Sequence, residues 1–193
     1  MVINLNVYLK RILIYTVFVR YFGNVFINLI VFNLVGFNLA WFGLVYWGNN
    51  FIPFSLLLLI SHLFFIAKSR NELLLIMVIT FIGIFVDSLL VQFNVFIFVN
   101  GGHIPFWLMM LWACFATTIC HSLRFLSGRK ALQLFVGAIF APLSYIAGYK
   151  FQAVDFGQSM ISTYLLLSVI WAVLFVLFFY LKDKLVEAEV SYV

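Results

Sequence analysis

Between residues 25 and 181 the chain offers six apolar runs, about 25–47, 51–67, 72–91, 103–124, 131–149 and 159–181, separated by short connections that hold most of the charges in that stretch. Each run is about the length that crosses a bilayer, where roughly 20 helical residues span the hydrocarbon core. Lipid offers no hydrogen-bond partner, so a lipid-embedded segment must bond its own backbone, and a run this long does so as a helix. Barrel strands are shorter and alternate in polarity, which these runs do not. The expected fold is all-α: a polytopic membrane protein with six transmembrane helices in one bundle.

Composition agrees. The 193 residues are 66% hydrophobic and 9% charged, against about a quarter charged in soluble domains. Twenty-five phenylalanines suit a lipid-facing surface better than a soluble core. The formal charge of +5 does not mark a nucleic-acid binder, because the basic residues are few and scattered. They act instead as topology signals. Lys10, Arg11, Arg20, Lys68, Arg70, Arg124, Arg129, Lys130, Lys182 and Lys184 fall on one side of a six-span chain and Lys150 alone on the other, ten of the 11 Lys and Arg residues against one. By the positive-inside rule both termini are expected in the cytoplasm.

Residues 1–23 carry Lys10, Arg11 and Arg20 around an apolar run too short to cross, and read as an interfacial segment. The transmembrane domain takes 24–182, and 183–193 form a short charged cytoplasmic tail. Cys114 and Cys120 lie on different faces of one helix and cannot bridge each other.

Polar residues inside the runs form stripes. In the first, Asn24, Asn28 and Asn38 share a face suited to interhelical hydrogen bonds, and Gly36 with Ala40 permits close packing. In the third, Thr80, Gly83 and Asp87 align. The fourth, His103 to Arg124, places His103, Trp107, Met110, Cys114, Thr117 and His121 on one helical face, with Leu108, Leu111, Trp112, Phe115, Ile119 and Leu123 opposite, toward lipid or an apolar neighbour. The fifth carries Gly137, Ala141, Ser144 and Gly148 as a small-residue face, with Pro142 a kink site. The sixth is the most uniformly apolar and is expected to face lipid.

The histidine boxes of di-iron desaturases, the HExxH of zinc proteases and the GxxxxGK of nucleotide sites are absent. Ser159 has no later histidine to serve as the base of a rhomboid-type protease. No cofactor is expected. Two polar clusters remain. One comprises Asp87, His103, Trp107, Tyr145, Tyr149 and Lys150, with Asp155 close in sequence. Asp87 is the acidic residue within a span, and an isolated carboxylate there costs several kcal/mol unless it is paired, protonated or wet. It reads either as a structural partner of Lys150 or His103, or as a site for a proton or a ligand headgroup. The other cluster comprises His62, Thr117, Thr118, His121 and Arg124, with Ser61 and Ser122 beside them. It reads either as helix capping or as a phosphate or carboxylate site anchored by Arg124. Two histidines with no visible third ligand make a weak metal site, and no metal is assigned.

Asp87-Ser88-Leu89, Ile104-Pro105-Phe106-Trp107, Leu111-Trp112, Phe115-Ala116-Thr117-Thr118, His121-Ser122-Leu123-Arg124 and Pro142-Leu143-Ser144-Tyr145 with Gly148 form an ordered set. The set resembles an uncharacterised family of small proteobacterial multi-pass inner-membrane proteins (domain of unknown function 2878), over roughly Asn24 to Tyr180. The resemblance implies a link to membrane lipid or fatty-acid modification, with membrane lipids as partners. A small-molecule transporter or substrate-binding membrane subunit is the competing class. The third is a structural partner of another membrane protein or of a second copy of this chain, docking through the small-residue faces.

Overall fold

The computed structural model describes residues 28–67, 69–99 and 101–187. The interfacial segment expected at 1–23, Asn24 of the asparagine face, Lys68 and the end of the tail lie outside them.

Helix α1 occupies 28–47, followed by a 3-10 turn, Gly48–Phe51, and helix α2, Ile52–Phe65. Gly48 has φ +59, a left-handed conformation that glycine adopts without a Cβ clash and that stops α1. Pro53 then starts α2 in its first turn, where its missing N–H is no loss. The two helices fold back on each other. A continuous helix would separate Asn33 and His62 by about 43 Å, yet their side chains are 3.3 Å apart. Ala40 and Leu44 of α1 are buried beside Phe51, Ile52 and Leu58. Gly36, expected to pair with Ala40 in close packing, has open space at its Cβ position, and the close approach falls at Gly43, against the Phe51 ring.

Helix α3, Arg70–Gln92, begins at Ser69, whose side chain accepts the Glu72 N–H at 3.1 Å. A short strand β1, Phe96–Ile97, follows, then helix α4, Phe106–Ala116. Helix α5 is Lys130–Lys150, strand β2 is Asp155–Phe156, and helix α6 is Met160–Lys182, continued by a π-helical turn, Asp183–Glu187. The strands pair antiparallel, Phe96 opposite Phe156 and Ile97 opposite Asp155. The connection after α3 thus contributes one strand of this ladder.

The ladder joins the end of α3 to the end of α5. The Trp107 N–H donates to Asn49 Oδ1 at 3.0 Å, which brings the 48–51 turn and the start of α4 to the same end. At the opposite end, His62, Glu72 and His121 meet, and the turn after α6 packs on α3. Lys150 belongs to the ladder end, whereas Arg70, Arg124, Arg129, Lys130, Lys182 and Lys184 belong to the histidine end.

Among the described residues, four helical segments are long and apolar enough to cross a membrane: Asn28–Phe65, Arg70–Gln92, Lys130–Lys150 and Met160–Val186. The first of these is the α1–α2 hairpin. The outward surface carries large apolar side chains on every long helix, among them Phe32, Leu57, Phe81, Phe140 and Val169. Such a belt has no aqueous counterpart and suits lipid.

The fourth run departs from expectation. The helix is 11 residues long, and residues 117–123 form turns. The Thr117 and Thr118 hydroxyls donate back to Cys114 O and Phe115 O at 2.8 and 2.6 Å. Backbone bonding then shifts to shorter and longer steps, Thr118 N to Phe115 O and Leu123 N to Thr118 O. Threonines bonding the preceding turn compete with the helical ladder in this way. His103 precedes the helix and His121 follows it, so the two do not share a helical face.

Helix α6 also differs. Instead of facing lipid with its whole surface it supplies the core, with Leu167, Trp171, Leu174, Phe175, Phe178 and Phe179 buried. Lys182 at its end is buried too, with Nζ 3.4 Å from Asp183 Oδ1. A uniformly apolar sequence has no polar face to mark which side packs. Helix α5 lies along α6, and a Cβ on Gly137 would meet the Trp171 carbonyl and the Phe175 ring. Gly148, in the same small-residue stripe, meets Val154 at an ordinary 3.6 Å.

Candidate functional site

Two polar centres sit at different levels of the bundle. The first is built around Asp87, which is 1% exposed. One turn earlier on α3, Gly83 has no side chain, and the Trp112 ring of α4 fills the space where a Cβ would lie. That approach lets Trp112 Nε1 donate to Asp87 Oδ2 at 2.6 Å. The Tyr145 hydroxyl, from α5, donates to Oδ1 at 3.1 Å and lies 3.3 Å from Oδ2. Two neutral donors hold the buried carboxylate, one from each of two helices. The Trp112 ring stacks on Trp171 of α6 with centroids 5.0 Å apart and planes at 4°. One hydrogen-bonded and stacked unit therefore ties α3, α4, α5 and α6 together.

The expected pairing of Asp87 with Lys150 or His103 does not form. Lys150 is exposed at the end of α5, with Nζ 5.9 Å above the Tyr149 ring. His103 is exposed in the turn before α4, and Asp155 is exposed in β2. Tyr149 stacks on Phe156 with centroids 4.9 Å apart. Within the first predicted cluster the structure joins Asp87 to Tyr145, and it brings Trp107 to the cavity described next. Trp112, assigned to the apolar face of its helix, is instead the closest partner of the carboxylate. An indole is apolar over most of its surface and carries one N–H donor, so a face-by-face count classes it as apolar.

Beside this centre lies a partly open cavity, lined from α1, α4, α5 and α6. Its walls are mainly aromatic and aliphatic, with Phe37, Trp41, Trp107, Leu111 and Trp171 prominent, and among the described residues no charged side chain lines it. Tyr145 and Trp112 form part of the wall, and their polar atoms are turned to Asp87. Ser144 also lines it but gives its hydroxyl to Ala141 O at 2.7 Å.

The second centre is at the histidine end. His121 Nε2 is 2.6 Å from Glu72 Oε1, and His62 Nε2 is 3.8 Å from the same oxygen. The imidazole rings are edge to face, with centroids 4.9 Å apart. Asn33 organises the surroundings. Its Nδ2 lies 3.1 Å from Thr117 Oγ1, 3.4 Å from Thr117 O and 3.3 Å from His62 Nδ1, while its Oδ1 accepts the Ser122 N–H at 3.2 Å. The predicted proximity of His62, Thr117 and His121 is therefore observed. Thr118 is buried nearby but spends its hydroxyl on its own chain. Arg124 lies in a 3-10 turn after them.

Glu72 and Asn33 are the two members that sequence reasoning missed. Glu72 stands 49 residues from His121, and its local signal, Ser69-Arg70-Asn71-Glu72, has the form of a helix cap. Asn33 lies off the face shared by Asn28 and Asn38, yet it is the buried asparagine. Asn28 is exposed, and Asn38 bonds Leu34 O within its own helix at 2.8 Å. A third side chain with a donor atom beside the two histidines, which spacing along the sequence did not show, is Glu72.

The apolar belt, the long helices and the polar centres buried between them define a helical integral membrane protein. The chain belongs to the family described as "Protein of unknown function (DUF2878)", whose model matches residues 30–177. That range includes both polar centres and the cavity wall. No curated protein and no solved structure matches the chain.

Proposed function

We propose that the protein binds a lipid or an acyl-chain intermediate within a bacterial inner membrane, which it crosses six times with both termini cytoplasmic. The observation that carries this reading is the aromatic and aliphatic lining of the cavity beside Asp87, with no charged residue among the described residues that line it. The polar atoms of Tyr145, Trp112 and Ser144 are already bonded within the protein. A polar solute would lose hydration there and gain few bonds in return, whereas an acyl chain loses nothing. The cavity lies at the level of Asp87, within the stretch of α3 apolar enough to cross the membrane. The chain reversals at 48–51, 93–105 and 151–159 at one end, and at 66–69 and 117–129 at the other, support six crossings, with α4 and the turns after it as the fourth. The basic residues gathered at the histidine end support its placement in the cytoplasm.

Photo-crosslinking with a diazirine fatty acid on protein in nanodiscs tests the reading. Labelled peptides are expected to cover residues 37–45 and 144–154, and Ser144→Trp, which fills the cavity, is expected to remove the label while preserving folded yield. Label confined to the outer helical surface, or unchanged by Ser144→Trp, would show that the cavity is not the binding site. A changed acyl-chain profile in cells lacking the protein would extend the reading to lipid modification.

A further inference from the structure

We propose that His62, Glu72 and His121 form a binding site for a divalent transition-metal ion of the Zn²⁺ type, distinct from the apolar cavity. Each residue offers one ligand atom, and the three atoms lie within 4.8 Å of one another. They come from separate parts of the chain: His62 from the last turn of α2, Glu72 from the first turn of α3, and His121 from the turns after α4.

A second observation points to a ligand. His62 is 4% exposed, and its Nε2 has no hydrogen-bond partner among the described residues, although it is aimed at Glu72 Oε1 from 3.8 Å. That distance is too long for a hydrogen bond. It is close to what an intervening ion requires. With bonds of about 2.0–2.1 Å, tetrahedral ligands sit about 3.4 Å apart. The His121–Glu72 pair at 2.6 Å must open by about 0.8 Å, the His62–Glu72 pair at 3.8 Å must close by about 0.4 Å, and the two histidine nitrogens, within 4.8 Å, must close by at most about 1.4 Å, shifts within reach of side-chain rotations.

The donor set selects the ion. Two imidazoles and one carboxylate suit Zn²⁺ and neighbouring first-row ions, whereas Mg²⁺ and Ca²⁺ prefer oxygen throughout. Three protein ligands leave a coordination position for water, the pattern of an open rather than a purely structural zinc site. Ligation through Nε2 needs the His62 proton on Nδ1, which faces the Asn33 carboxamide. Turned over, that amide presents its oxygen to Nδ1–H and gives up its bonds to Thr117 Oγ1 and Thr117 O and the bond from Ser122 N–H, so Asn33 orients the ligand as outer partners of metal-bound histidines do. The site binds the end of α2, the start of α3 and the chain after α4 into one unit.

The test uses the untagged full chain in detergent, stripped with chelator and titrated with Zn²⁺. One ion per chain is expected, with Glu72→Gln and His121→Gln each weakening binding at least tenfold. Absence of stoichiometric binding, or binding unchanged by both replacements, would overturn the site and indicate a bridging water between His62 and Glu72. Should the variants fail to fold, Co²⁺ loaded into the unaltered chain decides: a visible ligand-field band typical of four- or five-coordination supports the site, and its absence refutes it.

Discussion

Gly83 and Trp112 share one volume: the indole of Trp112 lies where a side chain on Gly83 would stand. This close approach sets the reach of Trp112 Nε1 to Asp87 Oδ2, at 2.6 Å. Gly83→Ala is therefore expected to push the ring off its partner and destabilise the fold by about 1–3 kcal/mol, the usual range for overpacking a core. Combining it with Trp112→Leu should cost less than the sum of the two single changes, because the smaller side chain removes the collision. Thermal unfolding in one detergent, followed by intrinsic fluorescence, measures the cycle. Strict additivity would contradict the shared volume.

Asp87 is held by Trp112 and Tyr145 rather than by Lys150. Asp87→Leu leaves an indole N–H and a phenol O–H buried without an acceptor, at about 1–3 kcal/mol for each. Asp87→Asn keeps one acceptor oxygen and should lose less. Lys150→Ala should leave stability unchanged, and adding it to Asp87→Asn should rescue nothing. A double change more stable than Asp87→Asn alone would restore the Asp87–Lys150 pair.

The small-residue stripe of α5 is unequal along its length. Gly137 faces the Trp171 carbonyl, whereas Gly148 has ordinary clearance from Val154. Gly137→Leu is expected to abolish folded yield, Gly148→Ala to have little effect, and Leu166→Ala, on the exposed side of α6, to have little effect either. Size-exclusion profiles of the three variants give the ranking. A Gly137→Leu variant with unaltered yield would mean that α5 and α6 are farther apart than described.

Topology reporters fused after residues 70, 128 and 185 should report the cytoplasm, and those after 99 and 153 the periplasm, as the one-sided distribution of Lys and Arg requires. A periplasmic signal at 128 would remove α4 and the turns after it as a crossing.

The sequence by itself determined the environment, and with it the secondary structure. Runs such as Leu73–Val86 and Ser162–Leu181 hold no charge, and in lipid the backbone has only the helix in which to bond itself. Gly48 and the Ser69 cap mark their breaks locally, so turns and helix starts were legible too. The face that each helix buries was decided only by tertiary structure. On a helix apolar all round, lipid and a protein neighbour satisfy a leucine equally well, so α6 carried no mark of its place in the core. The short α4 was hidden because apolarity continues through Thr117 and Thr118 while their hydroxyls end the helix. Polar partners were hidden for a further reason. His62, Glu72 and His121 belong to three chain segments that meet only once α2, α3 and α4 have packed, and Asn33 reaches them from α1. Spacing reports neighbours one turn apart on a single helix, whereas a bond across 49 residues depends on where two helix ends come to rest.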